Sequence, residues 1–173
     1  MSAGQRIQQG IRALFAFTRP VDFDLAAQYL TPELLNCFRQ MRRSEQLHSL
    51  NVLRSVLAQG STPADLAVAA LLHDAGKSRY PFSVLDKTVV VLVRAFYRPL
   101  FDRWSQGDPR RFWQRPFVIS HQHPAWSADL IAAAGATDRA VWLVRHHADS
   151  LEKWADHPNL YLLKRLKLAD DAN

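Results

Sequence analysis

The sequence predicts one all-helical domain, and three observations carry that reading. The stretches "TPELL" at 31–35 and "TPADL" at 62–66 each put Thr at an N-cap, Pro at the first helical position and an acid in the first turn. Apolar residues make up 48% of the 173-residue chain, enough to build one core of ordinary domain size. No run combines strand alternation with the turn chemistry of a hairpin.

Helices are expected at 4–18, 23–30, 32–41, 44–59, 63–75, 84–104, 109–120, 124–134, 137–147 and 158–171. The helix at 32–41 starts from "TPELL". Gly60 closes 44–59, and "TPADL" and Gly76 bound 63–75, since glycine suits the residue just past a helix. Within 84–104, the β-branched run "TVVVLV" at 88–93 is the one serious strand candidate. It lies inside a longer pattern without hairpin signals, so it is assigned to the helix, which Pro99 should kink. In 137–147, His147 follows Leu143 and Val144 by four and three residues and so faces inward. In 158–171, Asp170 continues the apolar row Leu163 and Leu166, while Asp171 continues Lys164 and Lys167 toward solvent.

Cys37 is the only cysteine, which excludes an internal disulfide and points to a reducing compartment. No stretch approaches the ~20 apolar residues that cross a bilayer. The apolar patch near the N-terminus is too short for a signal-peptide core, so a cytoplasmic location is expected. A net charge of +6 and a pI near 9.9 favour anionic partners without naming their kind.

Histidine placement carries the chemistry. Of seven histidines, His48, His73, His121, His123, His146 and His147 lie at or near apolar helical faces, and His157 lies in a loop-like segment. His48 shares a helical row with Val52 and Val56. One inward histidine is usually a hydrogen-bonded core residue. Several imidazoles and at least two carboxylates sent inward from different helices are better satisfied together by a shared cation. Mixed imidazole and carboxylate donors suit Fe, Mn, Co, Ni or Zn.

The series "HSLNVL" at 48, "HDAGK" at 73, "HP" at 123, "VRHHAD" at 144 and "LADDAN" at 168 resembles the HD superfamily of metal-dependent phosphohydrolases. "HDAGK" is close to the HDIG form of the motif, and the extra histidines resemble HD-GYP-like members. No G-Y-P follows "HH", so cyclic dinucleotide specificity does not transfer. The resemblance covers residues 43–173 and implies an HD-type helical bundle, with 1–42 as N-terminal helices packing on it. It implies that His48, His73, Asp74 and Asp170 form the basic ligand set, that Asp74 bridges if there are two metals, and that His123, His146 and His147 complete a second site. One or two divalent ions are implied, with Mg added to the candidates above. Lys77 would touch the nucleophile or a substrate phosphate, and Arg79 and Arg145 are the other candidate phosphate clamps. Glu45 is either a ligand, a support for a ligand or a helix-capping acid. His121 matches nothing in the pattern.

The function so implied is hydrolysis of a phosphate ester or nucleotide by a metal-activated hydroxide, with Asp74 and Lys77 catalytic. Two other classes use the same features: a mixed-valent di-iron oxygenase of the HD fold, and a non-catalytic metal-stabilised module. The segment at about 78–120 is longer than a minimal HD core requires. It interleaves Arg94, Arg98, Arg103, Arg110, Arg111 and Arg115 with Phe96, Tyr97, Phe101, Trp104, Phe112 and Trp113. Such a mixture suits single-stranded nucleic acid, an anionic membrane surface or a lid over an anionic substrate. The plainer reading is that the aromatics extend the core and the arginines dress it.

Overall fold

In the computed structural model, which describes residues 20–173, every regular element among the described residues is helical. The helix expected at 4–18 lies outside them. Helices α1 (Phe23–Ala27) and α2 (Pro32–Gln40) come first, capped by the side chains of Asp22 and Thr31. They bury Ala26, Leu34 and Phe38 against helices α3 (Arg43–Ala58) and α4 (Ala64–Leu72).

Helix α4 is the centre of the molecule. Its run "LAVAALL" is apolar on all sides, and every residue from Leu66 to Leu72 is buried. That is the pattern of a helix surrounded by others. Gly60, at φ +112, makes the turn that separates α3 from α4, a conformation open to glycine. Arg165 locks this turn from the far end of the chain. Its guanidinium donates to the carbonyls of Ser61 at 2.7 Å and Val56 at 3.0 Å, and to Gln59 Oε1 at 3.2 Å.

After α4 the chain makes a 3-10 turn, Ala75–Arg79. Helices α5 (Val84–Phe96), α6 (Arg98–Ser105), α7 (Arg115–Ala133) and α8 (Asp138–His146) follow. A second 3-10 turn, Leu151–Trp154, leads to α9 (Leu160–Asp171). Two assignments differ from expectation by more than a few residues at an end. The helix expected over 84–104 is two helices, broken at Tyr97, because the Pro99 ring clashes with a helical carbonyl at Ala95 and offers no N–H to it. The helices expected at 109–120 and 124–134 are one, α7, which begins only at Arg115 and runs through Pro124.

Gly76 is not a positive-φ cap, as its place after an apolar run implies. A Cβ there would lie 2.6 Å from the His123 carbonyl and 2.7 Å from the Ser127 nitrogen. Its absence lets the turn seat against α7, where the Gly76 N–H donates to Ser127 Oγ at 2.8 Å.

Two hydrophobic clusters result. The large one joins α1–α4 with α7, α8 and α9. The small one, Phe82, Val90, Phe101, Phe117 and Ile119, packs α5 and α6 onto the first half of α7. No helix among the described residues is long and apolar enough to cross a membrane.

Candidate metal centre

The ends of helices aim most of the site. His73 and His147 are the C-cap residues of α4 and α8, and each ring turns its Nδ1 back onto its own helix. His73 Nδ1 lies 3.1 Å from the Ala70 carbonyl, and His147 Nδ1 lies 2.7 Å from that of Val144. His123 achieves the same from inside α7. Pro124 has no N–H to give the Ser120 carbonyl, and His123 Nδ1 sits 3.1 Å from that oxygen and 3.0 Å from Ile119 O. A carbonyl only accepts, so in all three rings Nδ1 carries a proton and Nε2 is the nitrogen left to meet a ligand. This is how ligand imidazoles are oriented in metal sites.

The freed nitrogens converge on Asp74. Its Oδ1 lies 3.3 Å from His123 Nε2 and 3.9 Å from His147 Nε2. Its Oδ2 lies 3.6 Å from His73 Nε2 and 4.0 Å from His48 Nε2. Asp170 Oδ1 joins the second group, 2.9 Å from His48 Nε2 and 3.5 Å from His73 Nε2. The donor atoms within His48–His73–Asp74, and within Asp74–His123–His147, all lie within 4.8 Å of one another. Asp74 thus offers one oxygen to each trio.

These residues fit a cation on grounds of their own. His73 Nε2 is fully buried and has no hydrogen-bond partner. The Nε2 atoms of His123 and His147, both lone-pair bearing, face each other at 3.3 Å. A buried nitrogen without a hydrogen-bond partner and two opposed lone pairs cost free energy that a shared positive charge would recover.

The electrostatics agree. Burial works to raise the Asp74 carboxyl, but Lys77, His73 and His123 hold it well below the usual carboxylate range. Burial likewise works to raise Asp170, and its bond to His48 and the nearby His73 ring lower it instead. Burial opposes the charged form of His73, yet Asp74 and Asp170 lift its pKa to about 9. His147, buried and facing His73 and His123, falls to about 3. The centre holds two carboxylates that stay ionised and attract positive charge.

Lys77 Nζ donates to Asp74 Oδ2 at 2.6 Å. Glu45, buried at the start of α3, accepts from Lys87 at 2.6 Å and lies 3.9 Å from Lys77. It organises two lysines and caps nothing. A cavity of about 560 Å³ opens onto the centre. Lys77, Lys87, Arg94 and Lys167 line it beside His48, Asp74, His123, His147 and Asp170. Lys167 also donates to the His147 carbonyl at 2.9 Å, which corrects its assignment to a solvent-facing row.

Three expected site residues lie elsewhere. His146 is next to His147, but adjacent helical residues project about 100° apart. Its ring packs against Trp142 and Trp154 and its Nδ1 pairs with Asp149 Oδ2 at 2.9 Å. Arg145 pairs with Asp129 at 2.6 Å, and Arg79 lies over the Trp126 ring at 5.2 Å. Neither arginine lines the cavity. His121 is exposed, in keeping with its place outside the pattern. His157 stacks flat on Trp142 at 3.8 Å and belongs to the same aromatic group as His146. Lys87 and Arg94 were not singled out as site residues. Their seven-residue spacing on one side of α5 was the available signal.

A family model described as HD domain matches residues 47–172 of the chain. No curated protein and no solved structure matches it significantly.

Proposed function

The chain belongs to the HD domain family, and from that premise we propose that it is a metal-dependent phosphohydrolase acting on a compact phosphate ester, with one divalent cation on each side of Asp74. The observation that carries this reading is the division of Asp74, one carboxylate oxygen toward His48 and His73 and the other toward His123 and His147.

Divalent ions bound there supply Lewis acidity, polarising a phosphoryl oxygen and making water a nucleophile near neutral pH. The chain's own residues do the rest. Lys77 keeps the Asp74 carboxylate charged and presents an ammonium at the floor of the cavity. Lys87, Arg94 and Lys167 add three more cations along its wall, placed to receive the remaining phosphate oxygens. Asp170, half-buried at the edge, is placed to accept a proton from water. No Phe, Tyr or Trp ring among the described residues lines the cavity, so a nucleobase finds no stacking platform beyond the imidazoles of the centre itself. That favours a compact ester over a nucleotide.

The test is elemental analysis of untagged protein purified without chelator, followed by assays on phosphomonoesters and nucleotides with Mn, Co, Ni or Mg. The expected result is up to two divalent ions per chain and metal-dependent release of phosphate, both lost in a His73→Ala, Asp74→Ala double variant. Full activity in that variant, or none in the loaded wild type, would overturn the reading. Iron near two per chain with oxygen uptake and no phosphatase activity would replace it with an oxygenase.

A further inference from the structure

Helix α5 presents three faces. Val90 points into the small core and is buried, with Val93 partly buried beside it. Lys87 and Arg94, seven residues apart, face the cavity. On the side opposite those cations, helical spacing aligns Leu85, Val89, Leu92 and Phe96 in one stripe. All four are exposed, Leu85 at 77% and Phe96 at 83%. Nothing in the described chain covers them. A helix that needs only one apolar face to pack, and has a second, is built for another surface.

The composition around the stripe says which surface. The next exposed large apolar side chains along the chain are all aromatic: Tyr97, Phe112 and Trp113. Between 84 and 115 there are seven Lys and Arg against three Asp; of the seven, Lys87 and Arg94 face the cavity, and Arg98 pairs with Asp102 at 3.0 Å. Arg98, Arg103, Arg110 and Arg111 are exposed in the segment that follows the stripe. An aliphatic stripe with Phe, Tyr and Trp beside it and an excess of arginine is the composition of a helix lying in the boundary between lipid headgroups and acyl chains. The positive excess complements anionic headgroups.

We propose that α5 is an interfacial anchor by which the protein docks on an anionic phospholipid bilayer. Leu85, Val89, Leu92 and Phe96 enter the acyl boundary, and the arginines of the insert lie at headgroup level. A soluble partner surface would not require the aromatic residues at the polar edge together with a net excess of arginine. A second copy of this chain would bring its own positive insert against the first.

The experiment is co-sedimentation of the full-length protein with phosphatidylcholine vesicles, with and without phosphatidylglycerol. Binding is expected to vesicles containing the anionic lipid and to weaken as salt rises. A Leu85→Gln, Leu92→Gln, Phe96→Gln triple variant should bind at least about tenfold more weakly, since burial of each such side chain contributes to docking. An Arg110→Gln, Arg111→Gln variant should lose affinity for anionic vesicles. Both should melt like the wild type, because all five residues are exposed. The proposal fails if the wild-type protein stays in the supernatant, or if the triple variant binds as well as wild type. It also fails if light scattering finds a dimer dispersed by the triple variant, or if single-stranded DNA is bound and vesicles are not.

Discussion

Around α4, every residue from Leu66 to Leu72 is buried, and the site's histidines and carboxylates hang from the rim of that core. Across the insert, five buried side chains hold two helices, and eight large apolar residues remain exposed. The first region surrounds an expensive polar cluster with a large, well-packed support. The second has little to spare for its own packing and turns much of its apolar surface outward. A polar centre such as Asp74 with three buried imidazoles is tolerable only where the surrounding helices cannot relax away from it. The insert contributes Lys87 and Arg94 to the cavity, where small movements of long side chains cost little.

Variants that separate the two regions test this division, beginning with the largest effect. Asp74→Ala removes the atom pair shared by both trios. It should lower activity more than about 100-fold, the upper end for residues that only support ligands, and reduce bound metal to below one ion per chain by elemental analysis. Phe101→Ala opens the small core and should cost about 3 kcal/mol in urea unfolding, the low end for a buried aromatic. Metal content should persist in that variant while KM rises, because Lys87 and Arg94 lose their support but the histidines do not. Loss of both metals on Phe101→Ala would erase the distinction between the regions.

Gly76→Ala tests how tightly the large core frames the site. The added methyl must displace the backbone of α7 at His123 and Ser127, an overpacking cost of about 1–3 kcal/mol, and metal affinity should fall with stability. His146→Ala should leave metal content unchanged where His147→Ala does not, since only the latter ring reaches Asp74. The smallest effect belongs to the stripe: Phe96→Gln should shift unfolding by no more than about 0.5 kcal/mol.

What was legible in the sequence follows the same line. Capping residues and apolar periodicity placed α2, α3 and α4 to within a residue or so at most of their ends, because those signals are local. The inward set His48, His73, Asp74 and Asp170 was legible from helical rows and from the order of the motifs. His146 misled because the doubled histidine resembles a ligand pair, although periodicity already turned His147 alone toward Leu143 and Val144. Pro124 read as a boundary between two helices. In the structure the bond it forgoes is replaced by the His123 side chain, an exchange visible only once α7 is folded. Gly76 likewise looked like a terminator, and its real reason is the approach of α7, fifty residues away in sequence. The seven-residue spacing of Lys87 and Arg94 puts them on one side of α5, but that this side faces the cavity follows from tertiary packing of the insert.

The most direct measurement is a crystal structure of the protein loaded with Mn, with anomalous scattering to locate the ions. Two anomalous peaks are predicted, both within ligand distance of Asp74, one shared with His48, His73 and Asp170 and the other with His123 and His147. Peaks absent from that centre, or bound by residues that leave Asp74 uncoordinated, would contradict it.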